Sequence, residues 1–359
     1  MNKIINKALF YKEWINVKYM TILTTLMVLW FKLSGPMSRL NDIKYYIKED
    51  GKLYQDHMRW FNNSLFGGTF YYVIVVFAIM ILSIVLFLGD KNSETQDFVV
   101  SMPFTRKEII LNKWFVGVIS IIISFVVVFI ALSLFYAANL KFINTSLNPY
   151  SDIVKWFFID VLEYICIFSF MVFVQSVMGN SIVSTVVGAI VIYVPAFILE
   201  VITSVIYANA NYNIRSTNLV AIDRIKDWCS IYYYNISNSN WFNTEYKGEA
   251  SSYQVYDYSS YEIKLAVLII LSLLFLYLAY KCYKKRNLEY NLRLISFKNL
   301  EPVFIIGFSL CFGFTTGGFI GFGIFQQNSI KPFWLGTLIG TIVGYFISKV
   351  ILKVFQKSK

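Results

Sequence analysis

Residues 114–137 read WFVGVISIIISFVVVFIALSLFYA, an apolar run without a single charged side chain. An α-helix needs about 20 such residues to cross the hydrocarbon core of a bilayer. Similar runs recur on both sides of this one. The candidate spans cover residues 17–35, 69–88, 114–137, 155–178, 182–207, 262–280, 302–323 and 332–348. The sequence therefore predicts an all-α, polytopic membrane protein with about eight transmembrane helices.

Composition excludes several other classes of protein. Of the 359 residues, 57% are hydrophobic and 15% are charged, whereas soluble domains carry about 25% charged residues. The chain has one histidine, His57, and its four cysteines (Cys166, Cys229, Cys282 and Cys311) form no CxxC pair. Zinc sites and intramembrane enzymes usually need such residues in groups. We therefore expect no metal site, no catalytic residue and no enzyme activity in this chain.

The net charge of +11 predicts the orientation of the chain in the membrane. With a cytoplasmic N-terminus and eight spans, 18 Lys and Arg fall on the cytoplasmic side and 12 on the other. The cytoplasmic loops are also shorter, so their basic residues are about twice as dense, as the positive-inside rule requires. This distribution predicts a cell-membrane protein with both termini in the cytoplasm. It also explains the basic excess without nucleic-acid binding.

Two segments outside the spans have a recognisable pattern. Residues 1–16 alternate apolar and charged side chains at helical spacing, which indicates an amphipathic helix lying in the headgroup region or a helical extension of the first span. Residues 208–261 form a long outer loop rich in Asn, Ser and Tyr, in which Leu219–Trp228 fit a short surface helix. This loop either rests at the interface or gates the substrate.

The cytoplasmic loop at residues 89–113 carries the most specific pattern. A short apolar stretch starts at Phe98, Pro103 interrupts it, and a second helix follows. Thr105 fits the N-cap of this helix, and Glu108 completes a capping box. Such a helix either docks into a groove on a partner or is a solvated connector.

Three stretches of the sequence resemble permease subunits of type-two ABC exporters. FVVSMPFTRKEIILNKW (Phe98–Trp114), preceded by Ser93 and Glu94, resembles the loop after the second span of that family. LFYKEW (Leu9–Trp14) resembles its amphipathic start. CYKKRNLE (Cys282–Glu289) resembles permeases from Gram-positive operons, including some linked to acetoin use. The resemblance covers about residues 1–280, and the last two spans are an addition to the usual six.

The resemblance implies a division of labour between subunits. It predicts an interfacial helix at 1–16, a six-span core at 17–280, and a basic segment with a two-helix hairpin at 281–359. A separate ABC ATPase would bind ATP and Mg, and a second permease, identical or related, would complete the path among the membrane lipids. The chain itself has no GxxxxGK[ST] phosphate loop. The residues implied in ATPase coupling are Glu94, Phe98, Pro103, Phe104, Arg106, Lys107 and Glu108.

Three carboxylates fall inside predicted spans, where charge is rare and usually functional. Asp160 and Glu163 share one face of span 4, because they are three residues apart, and Glu200 lies on span 5. All three are in the outer half of the membrane. They either line an outward translocation path, pair with Lys155 or Lys264, or reach the headgroups.

The C-terminal hairpin carries glycines at four-residue spacing on both of its spans. Such spacing is typical of close helix packing in lipid, although glycine is also generally common in membrane helices. The glycines are Gly313, Gly317 and Gly321 on span 7, and Gly336, Gly340 and Gly344 on span 8.

Two alternatives to the exporter remain open at this point. A secondary transporter usually shows internal repeats. A non-transporting immunity or sensor protein would share the permease fold.

Overall fold

The structure is a computed structural model. It describes residues 6–50, 59–66, 69–91, 104–209, 217–235, 238–246, 249–286, 294–324 and 330–357. Within these ranges the helices are α1 (Lys7–Asp50), α2 (Trp60–Leu65), α3 (Thr69–Lys91), α4 (Arg106–Ala138), α5 (Ser151–Val177), α6 (Ser181–Asn209), α7 (Thr217–Cys229), α8 (Tyr261–Lys285), α9 (Glu301–Gly318) and α10 (Ile330–Lys357). A π-helical turn, Phe319–Ile324, continues α9.

Eight helices in the described ranges are long and apolar enough to cross a membrane; α2 and α7 are too short. Each of the eight coincides with a predicted span, which confirms the all-α polytopic fold. Hydropathy identifies these helices well, because only a helix satisfies every backbone hydrogen bond inside hydrocarbon without help from a neighbouring segment.

The first helix is longer than the sequence suggests. It runs unbroken from Lys7 to Asp50, about 66 Å at the helical rise, through Gly35 and Pro36. The predicted boundary between an interfacial helix and the first span at residue 16 has no counterpart, so the alternative of a helical extension describes these residues better. The chain between the first two predicted spans, residues 36–68, likewise begins as helix. Proline lacks only one backbone donor, and a helix can continue past it.

The segment at 208–261, predicted to be an outer loop, contains more structure than expected. Its short helix is present as α7. An antiparallel hairpin follows, with β1 (Asn238–Tyr246) paired to β2 (Glu249–Asp257) from Asn238↔Asp257 to Tyr246↔Glu249. The sequence did not indicate these strands, because the many Asn and Ser residues of the segment favour turns.

The chain forms two compact units. The first comprises Met1–Leu86, Lys107–Phe170 and Tyr232–Tyr277. In its core α4 and α5 approach closely: a Cβ at Gly117 would lie 2.0 Å from the ring of Phe168.

The second unit comprises Phe87–Arg106, Met171–Ile231 and Leu278–Lys359. Here α9 and α10 pack against each other, and both also contact α6. The C-terminal hairpin is therefore packed together with one of the predicted core spans.

Candidate functional site

The most unusual feature of the first unit is a group of charged side chains buried inside its helices. Asp160 and Glu163 of α5 expose 0% and 1% of their surface. An ionised group in hydrocarbon is costly unless it is paired or hydrogen-bonded. Both carboxylates have such partners, contributed by α1, α3, α8 and the segment before β1.

Asp160 is held by two aromatic donors and one cation. The Tyr71 hydroxyl and the Trp156 indole N–H each donate to its Oδ2 atom, at 2.8 Å. Trp156 lies one helical turn before Asp160 on α5, so the helix itself sets this contact. Lys32 of α1 interacts with the carboxylate electrostatically.

Lys32 is enclosed by aromatic rings. Its side chain is 2% exposed, and its Nζ atom donates to the Leu65 carbonyl at 2.7 Å. The same atom lies 4.1 Å from the ring centroid of Tyr71, 5.3 Å from Trp156 and 6.0 Å from Tyr72. Ring faces attract cations, and more strongly where water is excluded. The cage therefore compensates part of the cost of burying this ammonium.

Glu163 holds the turn at Asn235, in the segment before β1, against α5. The backbone N–H of Asn235 donates to Glu163 Oε2 at 2.7 Å, and the Tyr72 hydroxyl donates to the Asn235 carbonyl at 3.0 Å. The Asn235 side-chain amide donates to the Tyr164 hydroxyl at 3.3 Å. Asn235 and Tyr234 are both buried. The backbone N–H and C=O of Asn235 are thus clamped between α3 and α5.

Lys264 of α8 completes this arrangement. It is buried, interacts electrostatically with Glu163, and places its Nζ atom 5.3 Å from the Tyr234 ring. We call Lys32, Asp160, Glu163, Asn235 and Lys264 the charge cluster. Pairing of Glu163 with Lys264 was one of the predicted alternatives. The pairing of Asp160 with Lys32 was not predicted.

A second charged group lies around Asp152 of α5. Arg59 and Lys155 approach its carboxylate at 3.9 and 3.8 Å, and the Asn62 amide donates to it. Lys155 also reaches Asp257 of β2, at 3.6 Å. Lys155, expected as a partner of the span carboxylates, thus pairs with these two aspartates.

Tyr258 follows the β-hairpin and is buried beside the charge cluster. Desolvation raises the pKa of its hydroxyl well above the usual range, and the negative field of Asp160 adds to the shift. The side chain is therefore neutral at physiological pH. It packs edge-on against Phe66, with the ring centroids 5.0 Å apart.

Glu200 has a different environment and belongs to the second unit. Its side chain is 56% exposed and forms an ion pair with Lys226 of α7. Glu200 thus belongs to an exposed ion pair, whereas Asp160 and Glu163 are fully buried.

The structure describes four of the seven predicted coupling residues: Phe104, Arg106, Lys107 and Glu108. Glu94, Phe98 and Pro103 lie outside the described residues. Helix α4 begins at Arg106, which leaves Thr105 at the expected N-cap position.

The coupling residues at the start of α4 differ in their contacts. Arg106 turns back onto the end of α8, where its Nη1 atom donates to the carbonyls of Arg286 at 2.6 Å and Lys284 at 3.1 Å. Phe104 is half-buried and Lys107 is exposed, and Glu108 lies in the first turn of α4.

At the other end of the same loop, the buried Lys91 forms a polar network with the turn between α5 and α6. Its Nζ atom donates to Gln175 Oε1 and, at 3.2 Å, to Ser184 Oγ. Gln175 in turn donates to Thr185 Oγ1 at 2.7 Å and to the Ser181 carbonyl at 2.9 Å. In the sequence analysis, Lys91 was only one of the 18 basic residues assigned to the cytoplasmic side. A lysine directly after an apolar run, together with a Gln inside a span, was the available signal.

The two N-terminal stretches that resemble the permease family meet in space. Glu13, from LFYKEW, forms an ion pair with Lys113, from the second stretch, at 3.0 Å. Both side chains are buried, and Lys113 also donates to the Leu86 carbonyl. Two stretches 100 residues apart in the chain therefore form one structural element.

A sequence model of the family described as "ABC-2 family transporter protein" matches residues 11–288, more than three quarters of the chain. The chain belongs to the ABC-2 transporter family. It is therefore the membrane-spanning permease component of an ABC transporter, a family whose members work with ABC ATPase subunits. No match was found among curated proteins or among solved structures.

The C-terminal hairpin lies beyond the part of the permease that matches the family. Its helices approach along the six glycines. A Cβ at Gly317 would lie 2.1 Å from Thr337 Oγ1, and one at Gly340 would lie 1.7 Å from Thr316 Oγ1. A Cβ at Gly336 would lie 3.1 Å from the Gly317 Cα. Backbone approach this close leaves no room for a side chain, so the glycines form the contact between α9 and α10.

Proposed function

We propose that this ABC-2 permease is the transmembrane subunit of an ATP-driven exporter in the cell membrane. Two permease subunits, identical or related, form the path, and ABC ATPase subunits on the cytoplasmic side bind ATP and Mg. Family membership supports the transporter class. The twofold higher density of Lys and Arg supports the cytoplasmic side, and the resemblance to type-two exporters, including Gram-positive ones, supports the direction.

The second part of the proposal is that residues 89–113, the coupling loop, dock on the ATPase. The coupling residues are Glu94, Phe98, Pro103, Phe104, Arg106, Lys107 and Glu108. The exposure of Phe104 and Lys107 supports it, because both side chains retain accessible surface close to the start of α4. Helix α4 continues without a break to Ala138. A displacement at its start is then transmitted as a rigid-body movement.

The third part concerns the path. We propose that the charge cluster closes it on the outer side, with the Asn235 turn as the closing element. Asp160 accepts hydrogen bonds at its Oδ2 atom and Glu163 at its Oε2 atom, all from internal partners, which fits a closed state. Withdrawal of the turn would expose both carboxylates to a substrate that carries positive charge or many hydrogen-bond donors. Glu200, which pairs with Lys226 within the second unit, is proposed separately as a carboxylate of the translocation path.

Purification of the tagged permease from its native membrane tests the proposal. We expect an ABC ATPase to copurify and the reconstituted complex to hydrolyse Mg·ATP with vanadate sensitivity. Lipids, peptides and antibiotics are then screened for stimulation, with a partner ATPase that lacks its phosphate-loop lysine as the control. A permease that binds no ATPase contradicts the proposal. ATP hydrolysis without any transport would instead support the immunity or sensor alternative.

A further inference from the structure

We propose that Lys91 and Arg106 are positioning residues that connect the two ends of the coupling loop to two different helical elements. Lys91 connects the first end to the turn between α5 and α6, and Arg106 connects the second end to the end of α8. This inference rests on the proposed role of the loop in ATPase coupling and adds how the movement is divided within the permease.

The Lys91 connection is a buried cation held by polar groups of one turn. Gln175 Oε1 accepts from the ammonium and also, at 2.8 Å, from the Ser184 hydroxyl. Gln175 and Ser184 lie on the two helices that flank the turn, so the ammonium bridges them. A buried charge loses much of its compensation if it leaves such partners. The last residue of α3 and this turn are therefore expected to move together.

The Arg106 connection is a cation at a helix C-terminus. The last carbonyls of a helix are unpaired within the helix and carry its partial negative charge, which a guanidinium complements. Arg106 donates to the Lys284 carbonyl in the last turn of α8 and to the Arg286 carbonyl directly after it. The neighbouring Arg286 is buried, which lowers the pKa of its guanidinium, and the positive field of Arg106 lowers it further. Tyr283 and Asp90, which is next to Lys91, favour the charged form. The end of α8 is thus held by charges from both ends of the coupling loop.

The turn between α5 and α6 is itself tied to the chain that leads into α9. The Ser296 N–H donates to the Val177 carbonyl at 3.0 Å, and the Gly179 N–H donates to the Leu294 carbonyl at 3.4 Å. Met178 and Ile295 form an isolated bridge between these contacts. Movement received through Lys91 therefore reaches α5, α6 and the start of the C-terminal hairpin, whereas movement received through Arg106 reaches α8.

Hydrogen–deuterium exchange of the permease–ATPase complex in nanodiscs, with and without ATP and vanadate, separates the two connections. In the wild type we expect nucleotide to change exchange both at residues 178–185 and at residues 282–286. Lys91→Met should abolish the change at 178–185 and keep that at 282–286, and Arg106→Gln should do the reverse. Loss of one or two hydrogen bonds corresponds to a change of about threefold to tenfold in exchange.

Three further variants serve as controls. Lys91→Arg and Arg106→Lys keep a cationic donor and should restore the response. Lys285→Gln removes an exposed charge from the same last turn of α8 without removing a carbonyl acceptor of Arg106, and it should behave like the wild type.

The outcomes distinguish this inference from the proposed function. No bound ATPase, or no nucleotide response in the wild type, contradicts the proposed function itself. The separate connections are overturned in two cases, provided that the wild type responds normally. In the first, both variants keep the nucleotide-dependent exchange changes at 178–185 and at 282–286. In the second, either variant loses both of these changes. If Lys91→Met raises exchange of the turn without nucleotide, Ser184→Ala replaces it, because the ammonium stays in place. An undiminished response in Ser184→Ala then counts against the inference.

Discussion

The carboxylate of Glu13 and the ammonium of Lys113 lie 3.0 Å apart in a buried ion pair. Neither residue was predicted as a functional residue, although both fall in stretches that resemble the permease family. The pair fixes the start of α1 to α4, a few residues after α4 begins at Arg106. It therefore helps to position the helix that follows the coupling loop.

Breaking this pair from one side should destabilise the permease. Lys113→Met leaves a buried carboxylate without its main partner, at a cost of about 3–5 kcal/mol. The double variant Glu13→Leu, Lys113→Met removes both charges and should recover most of that loss. Thermal unfolding of the detergent-solubilised protein measures both. Lys12→Gln is the control, because Lys12 is 38% exposed and 3.8 Å from Glu13, and its loss should cost under about 1 kcal/mol.

The Asn235 turn should loosen when its clamp is removed. Tyr72→Phe deletes the hydroxyl that donates to the Asn235 carbonyl, which costs about 1–3 kcal/mol for a buried group left unsatisfied. We expect faster amide exchange at residues 230–235. Tyr19→Phe, at a 69% exposed tyrosine of α1, should leave that exchange unchanged. Equal exchange in both variants would show that the hydroxyl does not hold the turn.

Asp160→Asn and Glu163→Gln separate a path role from a purely structural one. Each substitution strands a buried lysine, so a structural role predicts poor assembly. Normal assembly with lost substrate stimulation of ATP hydrolysis supports the path instead. Size-exclusion chromatography measures the amount of assembled complex. The substrate stimulation of ATP hydrolysis is measured in nanodiscs. If neither quantity changes, both residues should be removed from the proposed path.

The glycine contact should tolerate substitution at one position and not at its neighbour. Gly317→Ala places a Cβ 2.8 Å from the Phe333 carbonyl, so the helices must separate, at about 1–3 kcal/mol. Gly318→Ala meets no atom within 4 Å and should be neutral or slightly stabilising. Thermal unfolding of the two variants compares them directly. A similar melting temperature would mean that the hairpin contributes little to stability.

Native Cys229 offers a test of the topology. It is exposed at the end of α7, in the segment predicted to lie outside. A membrane-impermeant maleimide should therefore label it in intact cells. Lys7→Cys in a Cys229→Ser background should be labelled only after the cells are opened. The reverse pattern would invert the orientation and place the coupling loop on the wrong side for an ATPase.

The sequence predicted what local chemistry determines. Apolar runs identified all eight spans, and Thr105 with Glu108 marked the start of α4. The four-residue glycine spacing indicated which faces of α9 and α10 could approach. Each of these features depends on residues within one or two helical turns.

The partners of the buried charges could not be predicted, because they come from distant parts of the chain. Lys32 meets Asp160 across 128 residues, and Glu163 meets Asn235 across 72. Hydropathy identifies each buried charge as unusual, but it does not show which distant residue compensates that charge. The same limit explains why Lys155 was expected to pair with a span carboxylate, while the fold brings it to Asp152 and Asp257.

The length of α1 has a mechanical consequence. Glu13 and Lys32 lie on this one helix, 19 residues or about 28 Å apart, close to the thickness of the hydrocarbon core. One is held in a buried ion pair and the other in an aromatic cage. A slide of α1 by one turn, about 5.4 Å, would break both at once. We therefore expect α1 to keep its position during transport, with the movement made by other helices.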